Sequence, residues 1–171
     1  VLNSYTRSHV DSVQYKWLEQ EFQKVDRSVT PWLVVSFHSP IYNTFKDHVN
    51  ESEAIEMQQA MEPLFVHHNV NLVVSGHCHA YMRTKPLTFN HVNESGPVYV
   101  IVGAGGNREG HAKGYQHDTP EEWIVKRDDV EFGYGRMHFA NATHVQWSWV
   151  RDGTTPEGVR DDVWIVNRYF G

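Results

Sequence analysis

Three histidines stand directly after short apolar runs. His38 follows Trp32-Leu33-Val34-Val35-Ser36-Phe37, and His77 and His79 follow Asn71-Leu72-Val73-Val74-Ser75 across Gly76. Apolar runs of this length, rich in β-branched residues, read as strands buried on both faces. Between them, Ala54, Met57, Ala60, Met61, Leu64 and Phe65 recur at helical spacing, so strand, helix and strand form a parallel βαβ unit. In such sheets the carboxyl ends of the strands make the ligand-binding crevice, and all three imidazoles are delivered to that rim. Gly76 permits a sharp turn there. The one-residue gap lets His77 and His79 face one side, with Cys78 turned to the core as a small hydrophobe. Neutral imidazole suits Zn, Fe and Mn, and three of them can hold a zinc with an open position. The bland alternative is a set of hydrogen-bonded histidines capping strand ends.

The elements that must carry this rim are partly legible. Asp11-Ser12-Val13-Gln14 offers an N-cap, and Val13, Trp17, Leu18, Phe22 and Val25 predict a helix over about residues 12 to 25. Asn50 with Glu53 caps the second helix, and Pro63 is expected to kink it or end it early. Val98 to Val102 is a further strand, followed by the tight turn Gly103-Ala104-Gly105-Gly106 and a polar loop to about Asp129. β-like runs follow at residues 135–139, 143–150 and 163–167, with Trp147 and Trp149 on one core-facing side. Residues 1–90 thus form the βαβ part with the histidine motifs, and residues 91–171 are mainly strands and loops.

Composition narrows the class. The 171 residues carry 15 Lys+Arg against 21 Asp+Glu, a formal charge of −6, which argues against a nucleic-acid partner. No stretch approaches the roughly 18 apolar residues of a membrane span. A single cysteine excludes an internal disulfide, and twelve histidines invite metal or proton chemistry. The sequons at Asn50, Asn93 and Asn141 are glycosylation candidates and tilt the expectation toward a secreted protein or a vacuolar or lysosomal lumen. The opening Val1-Leu2-Asn3-Ser4-Tyr5 reads as a chain cut from something longer.

Val35-Ser36-Phe37-His38 fits a Val-x-x-His element and Gly76-His77-Cys78-His79 fits Gly-His-x-His. In this order they resemble the last two of the five metallophosphoesterase motifs. His38-Ser39-Pro40 with Tyr42-Asn43, His79-Ala80-Tyr81, Gly96-Pro97-Val98-Tyr99, Gly105-Gly106-Asn107, Phe132-Gly133-Tyr134-Gly135 and Trp164-Ile165-Val166 extend the likeness. Nearly end to end, the chain is similar to the C-terminal half of a plant-type purple acid phosphatase.

That resemblance implies an α/β fold, the C-terminal half of a sandwich of two mixed β-sheets flanked by helices. It implies an acid phosphatase, hydrolysing phosphate monoesters with a hydroxide bound at a binuclear centre of Fe(III) with Zn, Mn or Fe(II). By position, His38 and His77 would ligate the divalent ion and His79 the ferric ion. His48 matches a loop histidine that contacts phosphate and protonates the leaving group, a role suited to an imidazole in an acidic lumen. Asp47 stands where a second histidine is often found. The remaining ligands come from earlier motifs beginning Gly-Asp, Gly-Asp and Gly-Asn-His, and no Gly-Asp dipeptide occurs here. The expected partner is therefore the missing N-terminal half of the same protein, and these residues alone are expected to be inactive; a homodimer is left open. The rival readings are a non-catalytic phosphatase-like binding or structural module and a mononuclear hydrolase using only the three histidines.

Overall fold

A computed structural model describes residues 1–153 and 159–170. Helix α1 (Val13–Gln23) begins at Ser12, whose Oγ accepts the Tyr15 N–H at 3.1 Å. The cap is therefore Ser12, one residue later than Asp11. Leu18 and Phe22 are buried, while Val13 and Trp17 stay exposed. The apolar stripe in the sequence is thus wider than the face that packs.

Helix α2 (Ser52–His67) runs through Pro63 to its end, against expectation. Pro63 and the residue one turn earlier, Gln59, are both exposed. The carbonyl that loses its partner to the proline ring can turn toward water, which lowers the cost of a mid-helix proline. The N-cap is Glu51, not Asn50, and its side chain makes no capping bond.

Strands β1 (Val34–Ser36), β2 (Leu72–Ser75) and β5 (Val98–Val102) are parallel, with Val35 opposite Val73 and Val73 opposite Tyr99. Strand β3 (Tyr81–Thr88) runs antiparallel to β5 on one side. On its other side it takes the short β4 (His91–Val92) and β6 (Ile124–Asp128). The order is β1-β2-β5-β3-β4, with β6 also on β3. Strands β3, β4 and β6 correct the sequence reading, which has no strand between residues 76 and 97 and a loop through Asp129. In β3, Arg83, Lys85 and Pro86 break the apolar signal, and the register shifts between Arg83 and Pro86.

Strands β7 (Gly133–Phe139), β8 (His144–Arg151) and β9 (Val159–Val166) form a separate antiparallel sheet. The chain therefore folds as an α/β layered structure, with one mixed and one antiparallel sheet. Alternation along β5 explains the layers: Tyr99 and Ile101 join the cluster containing Leu18, Phe22, Met61 and Phe65 of the helices. Val98 and Val100 join the cluster containing Val145, Trp147 and Trp149. Between the sheets, Trp147 Nε1 donates to Tyr81 Oη at 2.8 Å, and Tyr81 Oη donates to Asp161 at 2.6 Å. Arg83 grips the same carboxylate through Nε at 2.7 Å and Nη2 at 3.0 Å. Among the described residues, no helix is long and apolar enough to cross a membrane.

Candidate metal centre

The rim is built by a β1–β2 ladder that outlasts both strands. Phe37 N–H donates to Val74 O at 3.2 Å and Gly76 N–H donates to His38 O at 3.1 Å. His38 is thereby held level with the turn after β2. In that turn Cys78 N–H bonds back to Gly76 O at 2.7 Å, and His77 between them has φ +60°. A left-handed non-glycine residue costs on the order of 1–3 kcal/mol, so the surroundings must hold it there. Gly103 helps hold it: a Cβ there would lie 1.9 Å from Cys78 O, so only glycine lets the strand β5 exit close over the turn. Cys78 is fully buried, and burial pushes its thiol up to about 12, as befits a core residue and not a thiolate ligand.

His38 Nε2 and His77 Nδ1 face each other at 3.1 Å. Two nitrogens bound to one ion at about 2.05 Å would be separated by roughly 2.9 Å at a right angle and roughly 3.3 Å at the tetrahedral angle. The observed separation falls inside that interval, so the pair fits a shared ion without rearrangement. The other nitrogen of His77, Nε2, lies 3.0 Å from Glu51 Oε2. A carboxylate on the far nitrogen of a metal-binding imidazole fixes its tautomer and aim. With Nε2–H given to Glu51, the Nδ1 lone pair is the one turned toward His38.

Glu51 also accepts from His48 Nδ1 at 2.8 Å, and the His48 and His77 rings lie 3.7 Å apart. His48, Glu51 and His77 each place a donor atom within 4.8 Å of the others. Burial lowers the His77 pKa, with further lowering from His48, against the opposing pull of Glu51. The net shift favours the neutral form of the ring, the form that binds metals. For Glu51, burial raises the carboxyl, but the His48 hydrogen bond and the nearby imidazoles outweigh it, and the net shift is downward. Its place at the start of α2 adds the favourable end of the helix dipole. His48 and Asn50, like His77, have positive φ, at 61° and 54°.

His79 turns to a different set of partners. Its Nε2 is 2.8 Å from Asn107 Nδ2 and its Nδ1 is 3.1 Å from Gly110 O, on the loop after β5. Asp47 accepts the Lys113 N–H at 3.1 Å, tying the His48 loop to that same segment. Glu51, Asn107 and Tyr5, whose ring centre is 6.0 Å from that of His38, are site neighbours to which the sequence alone assigns no role at the site. Glu51 was hidden inside the Asn50-Glu51-Ser52 sequon. A carboxylate at a helix start that does not cap its own helix is the structural sign of a side chain engaged elsewhere.

Residues 1–81 match the family described as calcineurin-like phosphoesterase, and residues 96–162 match iron/zinc purple acid phosphatase-like protein C. Purple acid phosphatase 18 of Arabidopsis thaliana is 42% identical over 165 residues, covering 96% of this chain and 37% of the relative. Fe(3+)-Zn(2+) purple acid phosphatase 12 of the same plant is 35% identical, covering 99% of this chain and 38% of its own length. The chain thus spans less than two fifths of these relatives. A purple acid phosphatase from yellow lupin (Lupinus luteus) seeds superposes with a TM-score of 0.78 at 22% identity, over 98% of this chain and 30% of that one, a likeness of fold. The two family matches succeed one another along the chain, one spanning the histidine rim and the other reaching into the three-stranded sheet, and together with these relatives they support a purple acid phosphatase fragment.

Proposed function

We propose that the protein containing this chain is an acid phosphatase that hydrolyses phosphate monoesters at a binuclear centre of Fe(III) with Zn, Mn or Fe(II). The observation that carries the reading is the His38 Nε2 to His77 Nδ1 approach at 3.1 Å, with Glu51 behind His77. His38 and His77 would hold the divalent ion and His79 the ferric ion, the other ligands coming from the part of the protein outside these residues. When bound, such a metal pair supplies Lewis acidity to phosphoryl oxygens and a water acidified enough to attack phosphorus.

The chain's own residues do the rest. Glu51 keeps the His77 ring in one tautomer and orientation. With Nδ1 of His48 engaged by Glu51, Nε2 is the atom left to pass a proton to the departing alcohol oxygen. Buried Cys78 and the Gly103 contact keep the turn 76–79 in place beneath the substrate. The sequons support a glycosylated protein of the secretory route. Among them Asn50 and Asn141 are exposed, and the Asn141 Oδ1 is taken by the Thr143 N–H, the Thr143 hydroxyl and the His144 N–H.

The test is metal analysis and p-nitrophenyl phosphate hydrolysis at acid pH on the full-length protein and on His77→Ala. Two metals and acid activity in the parent, with activity lost at least about 100-fold in the variant, support the reading. One zinc with retained activity would favour the mononuclear hydrolase. A metal-free, inert full-length protein would leave the non-catalytic binding module as the better account.

A further inference from the structure

Glu62 lies on α2 and takes no part in the histidine cluster, yet it is a carboxylate with 0% exposure. It accepts Tyr42 Oη at 2.5 Å, Tyr99 Oη at 2.7 Å and the Phe89 N–H at 2.9 Å. A buried carboxylate is costly even when fully bonded, and an apolar residue would fill the same space more cheaply. What Glu62 provides that leucine would not is a fixed polar anchor for Tyr42. Tyr42 is 3% exposed and sits at the root of the segment between His38 and His48, its ring edge-on to Tyr99 at 4.7 Å.

The next residue carries the constraint onward. Asn43 Nδ2 donates to Asp47 O at 2.7 Å and to His48 O at 2.9 Å, while its Oδ1 accepts the Phe45 N–H at 2.9 Å. One side chain therefore closes the loop that puts His48 at φ 61°. Asn43 can do this only if its own backbone is fixed, and its immediate neighbour is the residue that Glu62 holds. The loop also leans on the segment after β5, where Gln116 N–H donates to Thr44 O at 2.8 Å and Lys46 N–H to Gly114 O at 2.9 Å. Gln116 Nε2 also donates to Asn43 O at 2.9 Å and to Phe45 O at 3.0 Å, so the loop is braced on its outer side by that segment and on its core side by Tyr42.

We infer that Glu62 is a positioning residue for His48, acting through Tyr42 and Asn43. The kinetic part rests on the phosphatase reading above; the positioning does not. Tyr42 and Tyr99 each give one hydroxyl to the same carboxylate, but only Tyr42 belongs to the loop. Tyr42→Phe, Tyr99→Phe and Glu62→Gln are therefore compared in the full-length protein, by amide hydrogen exchange over residues 43–51 and by steady-state kinetics at full metal content.

The expected result is about tenfold faster exchange over that segment in Tyr42→Phe and Glu62→Gln, with kcat lowered about 10- to 100-fold and KM nearly unchanged. Tyr99→Phe should match the parent in both readouts. Equal behaviour of the two phenylalanine variants, or unchanged exchange in Tyr42→Phe, overturns the inference. The tyrosine pair decides the matter even where Glu62→Gln does not fold. Faster exchange in a protein that hydrolyses no phosphate monoester would support the positioning and refute the phosphatase reading instead.

Discussion

The seam between the two sheets and the rim around His77 both gather polar side chains, but they close differently. At the seam, Trp147, Tyr81, Arg83 and Asp161 answer one another on regular strands. At the rim, two imidazole nitrogens point at each other and three non-glycine residues, His48, Asn50 and His77, have left-handed backbone. Strain of that kind persists only where surrounding structure over-determines it, and it concentrates at sites that bind something. The contrast separates four seam side chains that satisfy one another, beside a buried Trp149 Nε1 that has no partner among the described residues, from a rim that the proposed function reads as arranged for an additional occupant.

The sharpest way to break this comparison is Asp161→Ala. It leaves the Arg83 guanidinium, whose side chain is 9% exposed, without its carboxylate and Tyr81 without its acceptor. Removing one partner of a buried pair costs about 3–5 kcal/mol. Chemical denaturation should show that loss. A change below about 1 kcal/mol, the range of an exposed ion pair, would remove the seam's special status.

Gly135→Ala is expected next. A Cβ there would lie 2.3 Å from Trp147 Cη2, a ring that is 2% exposed and has no room to move. Overpacking of this kind costs about 1–3 kcal/mol. Gly105→Ala, on the loop near the rim where nothing lies within 4 Å, should stay within about 0.5 kcal/mol. Equal melting of the two variants would mean that the sheets are less closely packed than the structure shows.

The rim should respond in the opposite sense. Glu51→Gln leaves the fold nearly as stable, since the Glu51 side chain is 27% exposed, but deprives His77 of its orienting carboxylate. Second partners of this type are worth about 10- to 100-fold in metal affinity. Zinc titration of the full-length protein, followed calorimetrically, checks this. Unchanged affinity with a large loss of stability would make Glu51 part of the scaffold.

The same division explains what was legible in the residues alone. Strands buried on both faces announce themselves, so β1, β2 and β5 and the histidines that follow them are readable from Val34, Val73 and Val100 and their neighbours. Strand β3 is not, because Arg83 is buried by virtue of Asp161, a partner 78 positions away. No local pattern encodes such a pairing. The rim shows the same limit. His38, His48 and His77 have motif positions, but Glu51 becomes part of the cluster only when α2 starts beside the β2 turn. His77 and His79, expected on one side by strand alternation, meet different partners, Glu51 and Asn107, and the positive φ of His77 departs from the strand conformation on which that expectation rested.

The smallest expected effect is a tilt of stability with pH, and it pits two buried carboxylates against each other. Burial raises Asp161, but the Arg83 and Tyr81 bonds outweigh it and its net pKa is lowered; burial dominates at Glu62, whose pKa is raised. A lowered folded value means that stability from Asp161 is present above the unfolded pKa and is lost as pH falls through the folded one. A raised value means that stability from Glu62 is full below the unfolded pKa and is lost as pH rises through the folded one. These two groups together favour mildly acid conditions, near about pH 4. One group tilts the curve by at most about 1.4 kcal/mol per pH unit. Denaturation from about pH 2 to 7 should show Glu62→Gln losing part of the parent's decline toward neutrality, while Asp161→Asn loses part of the fall below about pH 4. If Glu62→Gln kept the parental slope, Glu62 would be titrating alike in the folded and unfolded chain, and its burial among tyrosines would not be setting its charge.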